Sequence, residues 1–210
     1  MPRRPEQYEQ LRAESVRHLL DAARTTFVRL GYDRATIRAI AREAGVAQGL
    51  LYNYFRSKED LLRTVFQEGV RDVGEALAAG SGAGTPAEQL ERVIRRSFEL
   101  VRERREFWLL SHMLRFQPKT VALTAELSAW TQMVRAQLET LLRKIGHRDA
   151  PALSRVLFAA IDGAAQHYAL DPDGYRVGPV ADALVRHFCR PPASTTARAS
   201  TTKRRRGTDA

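Results

Sequence analysis

The apolar residues of this chain recur at steps of three and four residues along most of its length. The first such series consists of Val16, Leu19, Leu20, Ala23, Phe27 and Leu30. This spacing places the side chains on one face of an α-helix, whereas a half-buried strand alternates with a period of two. No stretch alternates convincingly, and no repeat of fixed length is visible. The sequence therefore predicts an all-α fold.

Capping residues divide the periodic segments into about nine helices. Gly31 and Gly45 follow the first two segments, where a glycine can close a helix. Thr36 and Ser57 precede the second and fourth segments, where a hydroxyl can cap free N–H groups. The predicted helices lie near residues 9–30, 36–44, 47–54, 58–77, 87–104, 105–116, 121–145, 150–170 and 177–188.

The segment AAGSGAGTP, residues 78–86, interrupts this pattern with three glycines and a proline, which makes it the clearest internal linker. Residues 191–210 contain no large apolar side chain, so they cannot bury enough surface to offset the entropy of ordering. We expect an N-terminal arm (1–11), a small helical head (12–72), a larger helical region (73–190) and a disordered basic tail (191–210).

Composition excludes several classes of protein. Hydrophobic residues make up 44% of the 210 residues and charged residues 28%, and no apolar run is long enough to span a membrane. Arginines near the N-terminus are not followed by an apolar stretch, so a signal peptide is not expected. Cys189 is the single cysteine, which excludes an internal disulfide and a thiolate-rich zinc site. A cytoplasmic protein without a membrane partner is expected.

The net charge of +10 suggests a polyanionic partner, but its distribution weakens that argument. Residues 1–60 have a net charge of +3, residues 61–189 of +2 and residues 190–210 of +5. Half of the excess therefore lies in the tail, where a solvated, disordered end is an equally good interpretation.

Two short helices joined by a tight turn at Gly45, with a longer helix on each side, are typical of a helix-turn-helix at about residues 35–54. The segment 31–62, GYDRATIRAIAREAGVAQGLLYNYFRSKEDLL, resembles the N-terminal domain of the TetR (tetracycline-repressor) family of bacterial transcription regulators. The resemblance covers about residues 12–72. It implies phosphate contacts from Thr36, which also caps the second helix, from Tyr52 on the recognition helix and from Lys58 at the start of the fourth helix.

The exposed side of the recognition helix should read bases. Gln48 and Asn53 are the best candidates because their amides can pair with adenine, and Gly49 permits close approach. Leu50 offers only apolar contact, such as with a thymine methyl group. Leu51 and Phe55 are expected in the core instead.

Two positions depart from the family pattern. Ala47 stands where a serine or threonine is common, and the missing hydroxyl removes a helix cap and a phosphate contact worth about 1 kcal/mol. Tyr54 stands where histidine is frequent, and its phenol can donate to a phosphate or pack against the core; both interpretations remain open.

The resemblance implies that the C-terminal helices form a homodimer and enclose a ligand pocket. Small residues on the eighth helix and an apolar stripe on the ninth suggest the interface, with candidates Ala159, Ala160, Gly163, Ala164, Val180, Leu184 and Phe188. Aromatic, methionine and histidine residues suit the pocket, although ordinary core is the more common role for any one of them: Phe98, Phe107, Trp108, His112, Met113, Phe116, Trp130, Met133 and His167.

The sequence shows no Ser-His-Asp or paired-carboxylate arrangement, so an enzyme is not expected. His112 and His167 lack further ligands at metal spacing, so neither a metal nor a cofactor is expected. Two hypotheses remain. The first is a dimeric repressor that binds a near-palindromic double-stranded operator and is released by a small apolar or amphipathic effector. The second is a helical small-molecule carrier or adaptor with a vestigial helix-turn-helix.

Overall fold

A computed structural model describes residues 5–79, 82–115 and 121–191 of the chain. These residues form helices and contain no strand, as the apolar spacing predicts. The helices are α1 (Pro5–Leu30), α2 (Ile37–Glu43), α3 (Gln48–Tyr54), α4 (Lys58–Ala79), α5 (Pro86–Glu103), α6 (Arg105–Leu114), α7 (Val121–Ile145), α8 (Ala150–Leu170) and α9 (Val177–Phe188). Phe116 and the predicted tail beyond Pro191 lie outside the described residues.

The predicted bounds agree with the structure to within a few residues. α1 begins at Pro5 rather than near residue 9, so the polar segment before residue 9 also belongs to the helix. α6 ends at Leu114, two residues before its predicted end, with Arg115 as its C-cap. The boundary proposed at residues 72 and 73 falls inside the continuous helix α4, so the head and the larger region share that helix.

Local hydrogen bonds define the short helices. The Thr36 hydroxyl accepts the Ala39 N–H at 3.1 Å and caps α2. Gly45 follows α2 at φ 66°, a left-handed conformation that glycine adopts without strain. At the start of α4, the Ser57 hydroxyl accepts the Asp60 N–H at 3.1 Å. The two hydroxyl contacts each satisfy a backbone N–H group that the start of a helix would leave free.

The head is held together by apolar residues from all four of its helices. Phe27 of α1, Ile40 of α2, Leu51 of α3 and Leu61 of α4 are each 1% exposed or less. Burying a side chain of this kind contributes roughly 1.5–3 kcal/mol. The two short helices are therefore stabilised mainly by packing on α1 and α4, because helices of seven residues have little stability alone.

Helix α5 lies at the centre of the larger region, where it packs against α4, α7, α8 and α9. It starts with a capping box, in which Thr85 accepts the Glu88 N–H and the Glu88 carboxylate accepts the Thr85 N–H. Leu90 and Ile94 of α5 are fully buried, as are Leu142 of α7 and Leu157 of α8. This core connects α4, and through it the head, to the remaining helices.

One close approach ties α4 to α6. A Cβ atom at Gly69 of α4 would overlap the ring of Phe107, so only glycine admits this ring at this distance. Phe107 packs in turn against Phe66 of α4, with ring centroids 5.9 Å apart, and against Trp108, at 5.5 Å. The two helices are thus in contact through an aromatic cluster.

Candidate functional site

Helix α3 has one buried face and one exposed face. Leu51 is 1% exposed and faces the core, whereas the neighbouring Tyr52 is 54% exposed. Gln48, Gly49 and Asn53 are exposed with Tyr52. The helix therefore presents two amides and a phenol to solvent while its leucine anchors it.

The remaining α3 candidates are less exposed or lack polar contacts. Ala47 is the N-cap of α3 and makes no side-chain capping hydrogen bond, which is the consequence expected from its missing hydroxyl. Leu50 is half-buried. Tyr54 is also half-buried, and its ring lies beside Phe55 and 5.9 Å from the guanidinium of Arg12. For Tyr54 the structure thus shows packing, and a phosphate contact remains a prediction.

An open groove of about 560 Å³ runs between α2 and α3, adjacent to that exposed face. Thr36 and Gln48 line it together with Arg38 and Arg42, both of which are exposed. Neither arginine was among the residues predicted from the sequence to contact DNA. Their spacing of four residues on a short helix was the available signal, since it places them on one face.

Lys58 holds the loop between α1 and α2. Its ammonium donates to the carbonyls of Tyr32 at 2.7 Å, Ala35 at 2.9 Å and Asp33 at 3.4 Å. It also lies 4.3 Å from the centroid of the Tyr32 ring, a cation–π contact. The three carbonyl contacts match the three donors of an ammonium, so the predicted phosphate contact would compete with them.

The surroundings of Tyr32 also affect its hydroxyl. Burial raises the pKa of Tyr32, and the carboxylates of Glu59 and Asp33 raise it further. The phenol therefore stays neutral at physiological pH, and the aromatic platform under Lys58 is unchanged across that range.

His18 of α1 fixes the other end of α2. Its Nε2–H donates to the carbonyl of Ala44, at a distance of 2.8 Å, and so satisfies a group at the helix C-terminus. An ion pair between Arg29 of α1 and Glu43 of α2, 2.6 Å long, lies nearby. Helix α2 is therefore oriented on α1 by polar contacts as well as by its buried residues.

The larger region contains a small apolar cavity of about 30 Å³ between α4, α5, α6, α7 and α8. Its lining residues are Val73, Leu77, Val93, Ser97, Leu100, Trp108, Trp130, Val134, Leu138, Phe158, Ile161 and Asp162. Of the predicted pocket residues, only Trp108 and Trp130 are among them. Half of the lining residues are valine or leucine, whose spacing cannot be distinguished from ordinary core.

The other pocket candidates do not line this cavity. Phe98 is buried in the core, and Phe107 packs on Gly69. Met133 is 45% exposed and lines an open surface groove instead. His167 is exposed and stacks on the ring of Tyr175, with centroids 5.4 Å apart. The half-buried residues His112 and Met113 are not among the lining residues, and Phe116 is not described.

Asp162 is the one charged residue of the cavity lining, and it was not among the predicted pocket residues. Its two carboxylate oxygens accept from the guanidinium of Arg115 at 2.6 and 2.8 Å, so the pair is bidentate. Arg115 and Asp162 side chains are 27% and 22% exposed. A signal for it existed, since Asp162 is the one charged residue in the apolar stretch FAAIDGAA of α8.

Part of the predicted dimer surface is available on the protomer. Ala159 is exposed, and Ala160, Gly163, Val180 and Leu184 are half-buried. Ala164 and Phe188 are 3% and 2% exposed and already belong to the core of the protomer, so they offer little surface to a partner.

Two apolar side chains of α8 that were not predicted are strongly exposed. Val156 is 55% exposed and Leu170 is 66% exposed. Val156 lies three and four residues before Ala159 and Ala160 of the predicted surface, so it shares their helix face.

The described residues contain neither a membrane-spanning helix nor a cluster of metal ligands. Among these helices none is long and apolar enough to cross a lipid bilayer. In the same part of the chain, no three His, Cys, Asp or Glu side chains come together as metal ligands would.

The sequence of the head matches one family. Residues 19–65 match the family described as bacterial regulatory proteins, tetR family. The fatty acid metabolism regulator protein of Bacillus subtilis (strain 168) is 34% identical over 84 residues, which are 40% of this chain and 43% of that protein. The head of the chain is therefore a TetR-family domain. The leading curated relatives are matched over 31–43% of their own length.

Solved structures extend the similarity of fold beyond the TetR head. A TetR-like transcriptional regulator from Rhodococcus sp. RHA1 has a TM-score of 0.74 at 24% identity, over 90% of this chain and 96% of that one. The transcriptional regulator FadR from Bacillus subtilis, in complex with stearoyl-CoA, has a TM-score of 0.70 at 21% identity, over 82% of this chain and 96% of that one. At these identities the comparison establishes the fold of the larger region.

Proposed function

We propose that this chain is a ligand-responsive transcriptional regulator, most simply a repressor, which binds a near-palindromic DNA operator as a homodimer in the cytoplasm. The observation that carries the proposal is the exposed face of α3. Gln48, Tyr52 and Asn53 are directed to solvent on a helix whose Leu51 is buried. A helix of this kind can enter the major groove, where amides read base edges.

The groove beside α3 supports the same proposal. Arg38 and Arg42 flank it, and Thr36 and Gln48 lie on its wall. Guanidinium and hydroxyl groups fix a protein on the phosphate backbone without reading sequence. Helix α3 would then read bases while α2 holds the adjacent backbone.

The cavity provides a physical route from effector to DNA. A volume of about 30 Å³ is close to that of one or two water molecules, so a larger effector must displace the cavity walls. Val73 and Leu77 of α4 belong to those walls, and Lys58 at the start of α4 holds the loop before α2. A ligand that binds better when α4 has moved would shift the head away from its DNA-binding position.

The relatives suggest the class of effector. FadR from Bacillus subtilis was crystallised with stearoyl-CoA, a molecule with a long apolar chain. The cavity here is lined largely by apolar side chains. We therefore propose a small apolar or amphipathic effector, with the walls opening around its apolar part.

Footprinting on the DNA upstream of its own gene tests the function. At moderate salt we expect protection of a near-palindrome with half-sites about one helical turn, or a multiple of it, apart. Loss of protection on addition of an apolar extract of the host cell would show the effector response. If no segment is protected at low or moderate salt, the regulator proposal fails. The carrier or adaptor hypothesis would then be favoured if the protein still binds small molecules.

A further inference from the structure

Two residues that line the cavity each have a buried hydrogen-bond donor without an acceptor among the described residues. The indole N–H groups of Trp108 and Trp130 are buried, and neither has an acceptor among the described residues. Both side chains line the cavity and are less than a tenth exposed, at 8% and 7%. Buried donors in folded proteins almost always have an acceptor, so two such groups at one cavity call for an explanation.

The other polar groups at the cavity already have partners. The Ser97 hydroxyl donates to the Val93 carbonyl at 2.8 Å. Both oxygens of Asp162 accept from Arg115. Indole N–H is a donor and never an acceptor. The two indole N–H groups are therefore the donors at the cavity that lack an acceptor, whereas the Ser97 hydroxyl and the Asp162 carboxylate each already have a partner.

Charge at the cavity is also balanced. Asp162 is the one ionisable residue in the lining, and the bidentate contact with Arg115 neutralises it. A ligand carboxylate would need the guanidinium of Arg115, which Asp162 already binds. A ligand ammonium would have to displace Arg115 from Asp162. Burying an uncompensated charge among apolar side chains is strongly unfavourable.

We propose that this cavity selects uncharged apolar ligands that carry an acceptor oxygen, such as a ketone or ester, and that Trp108 and Trp130 donate to it. The inference rests on the proposed effector role of the cavity and adds the chemistry that the effector must have. A hydrocarbon of the same size would fill the space but leave both indoles unsatisfied. An acid or an amine would bring a charge for which the cavity has no free partner.

The chain is well suited to a direct test, because it contains two tryptophans and both line the cavity. Their emission reports on this site alone. Four six-carbon probes separate the possible chemistries: methyl butyl ketone, hexane, hexanoate and hexylammonium. Each is titrated into the full-length protein without DNA, and binding is followed by tryptophan emission and by calorimetry.

We expect the ketone to bind at least about fivefold more tightly than hexane, the effect of one hydrogen bond, and both charged probes to bind more weakly than the ketone. Trp108→Phe and Trp130→Phe keep an aromatic ring and remove the N–H. Each should lower ketone affinity by about fivefold and leave hexane affinity unchanged. The tryptophan that remains in each variant reports binding, and circular dichroism verifies its fold.

Equal affinity for ketone and hexane would overturn the proposal, and so would ketone binding that neither substitution weakens; an ordered water would then be the acceptor of the indoles. Preferential binding of hexanoate or hexylammonium, or no binding of any probe up to its solubility limit, would also overturn it. These titrations need no operator. Their failure therefore leaves the DNA-binding proposal standing, and a failed footprint leaves the ligand preference standing.

Discussion

The contacts of Lys58 give it a structural role in addition to the phosphate contact that the family resemblance predicts. Its ammonium contacts the carbonyls of the loop that leads into α2, and its stem begins α4. We expect Lys58→Ala to reduce the free energy of unfolding by about 1.5–3 kcal/mol, the usual effect of losing hydrogen bonds to a charged group. Urea denaturation of the variant would measure this.

Arg56→Ala is the matched control. Arg56 lies two residues before Lys58 and is exposed, so the substitution also removes one positive charge. The control should leave stability nearly unchanged. Unchanged stability in the Lys58 variant would contradict the role in holding the loop. A fall of about one in the salt slope of operator binding would establish a direct phosphate contact.

Substitutions of Gln48 and Arg42 should distinguish the reading of bases from binding to the DNA phosphate backbone. Both line the groove between α2 and α3, but only Gln48 lies on the proposed recognition helix. Gln48→Ala should change the preferred base at one position of each half-site, at a cost of about 1–3 kcal/mol for the original operator. Arg42→Ala should weaken binding to all sequences alike and lower the salt slope by about one.

Binding to a library of operator variants at several salt concentrations would test both expectations. If the Gln48 variant keeps the same base preference, Gln48 does not read bases. If the Arg42 variant keeps the full salt slope, Arg42 contacts no phosphate.

Cys189 is predicted to be an unreactive thiol. Burial raises the pKa of Cys189 to about 11, and the nearby Glu91 carboxylate also raises it. Because only the thiolate reacts, alkylation at pH 8 should be about a hundredfold slower in the folded chain than in urea, and should accelerate as the pH approaches 11. Mass spectrometry after iodoacetamide treatment would measure both rates, and equal rates would contradict the prediction.

Among the helices, α4 belongs to both halves of the molecule. It contributes Leu61 to the core of the head, Gly69 to the contact with α6, and Val73 and Leu77 to the cavity. An α-helix is stiff over these five turns, so a displacement at the cavity is carried toward Lys58. The cavity and the loop before α2 are therefore connected by one element.

Gly69→Ala should disturb this element. The added methyl group would overlap the Phe107 ring, which must move or push α4 away from α6. We expect a loss of about 1–3 kcal/mol in unfolding free energy, the usual cost of overpacking. Operator affinity should also change, because α4 holds the head through Lys58.

The matched control for this substitution is Gly74→Ala in the same helix, where a Cβ meets nothing within 4 Å. That change should stabilise the protein by up to about 1 kcal/mol, since alanine favours helices over glycine. Thermal unfolding and operator titration of both variants would test the contrast. If the Gly69 and Gly74 variants have the same stability and operator affinity, the contact between Gly69 and Phe107 affects neither property.

At the scale of the whole molecule, α8 provides the surface proposed for dimerisation. Val156 and Leu170 are exposed on it, and Ala159 lies beside Val156 on the same face. Val156→Glu should convert the dimer to a monomer at micromolar concentration, because it would place a carboxylate in an apolar interface. Leu11→Glu, which alters an exposed leucine of α1, should leave the dimer intact.

Light scattering on the wild type and both variants would test the assembly. A monomeric wild-type protein would contradict the proposed dimer itself. A dimer that persists in the Val156 variant would place the interface elsewhere. Weaker operator binding that parallels dissociation would link the assembly to DNA recognition, since a palindrome is read by two heads.

The all-α fold, the helix bounds and the division of α3 into buried and exposed faces could be predicted from the sequence. These features depend on interactions within a few residues, such as the Thr36 cap, the turn at Gly45 and the alternation of Leu51 with Tyr52. Local spacing and capping chemistry indicate them in the sequence, although the two short helices need packing on α1 and α4 to be stable.

Tertiary structure alone decided which residues form the cavity and which remain at the surface. Phe98 and Trp108 have the same apolar character, yet only Trp108 lines the cavity, because this depends on how five helices pack. Ala164 and Phe188 lie on predicted interface helices but face inward. A core contact, a cavity wall and a dimer surface all require apolar side chains at helical spacing, so the pattern of one chain cannot distinguish them.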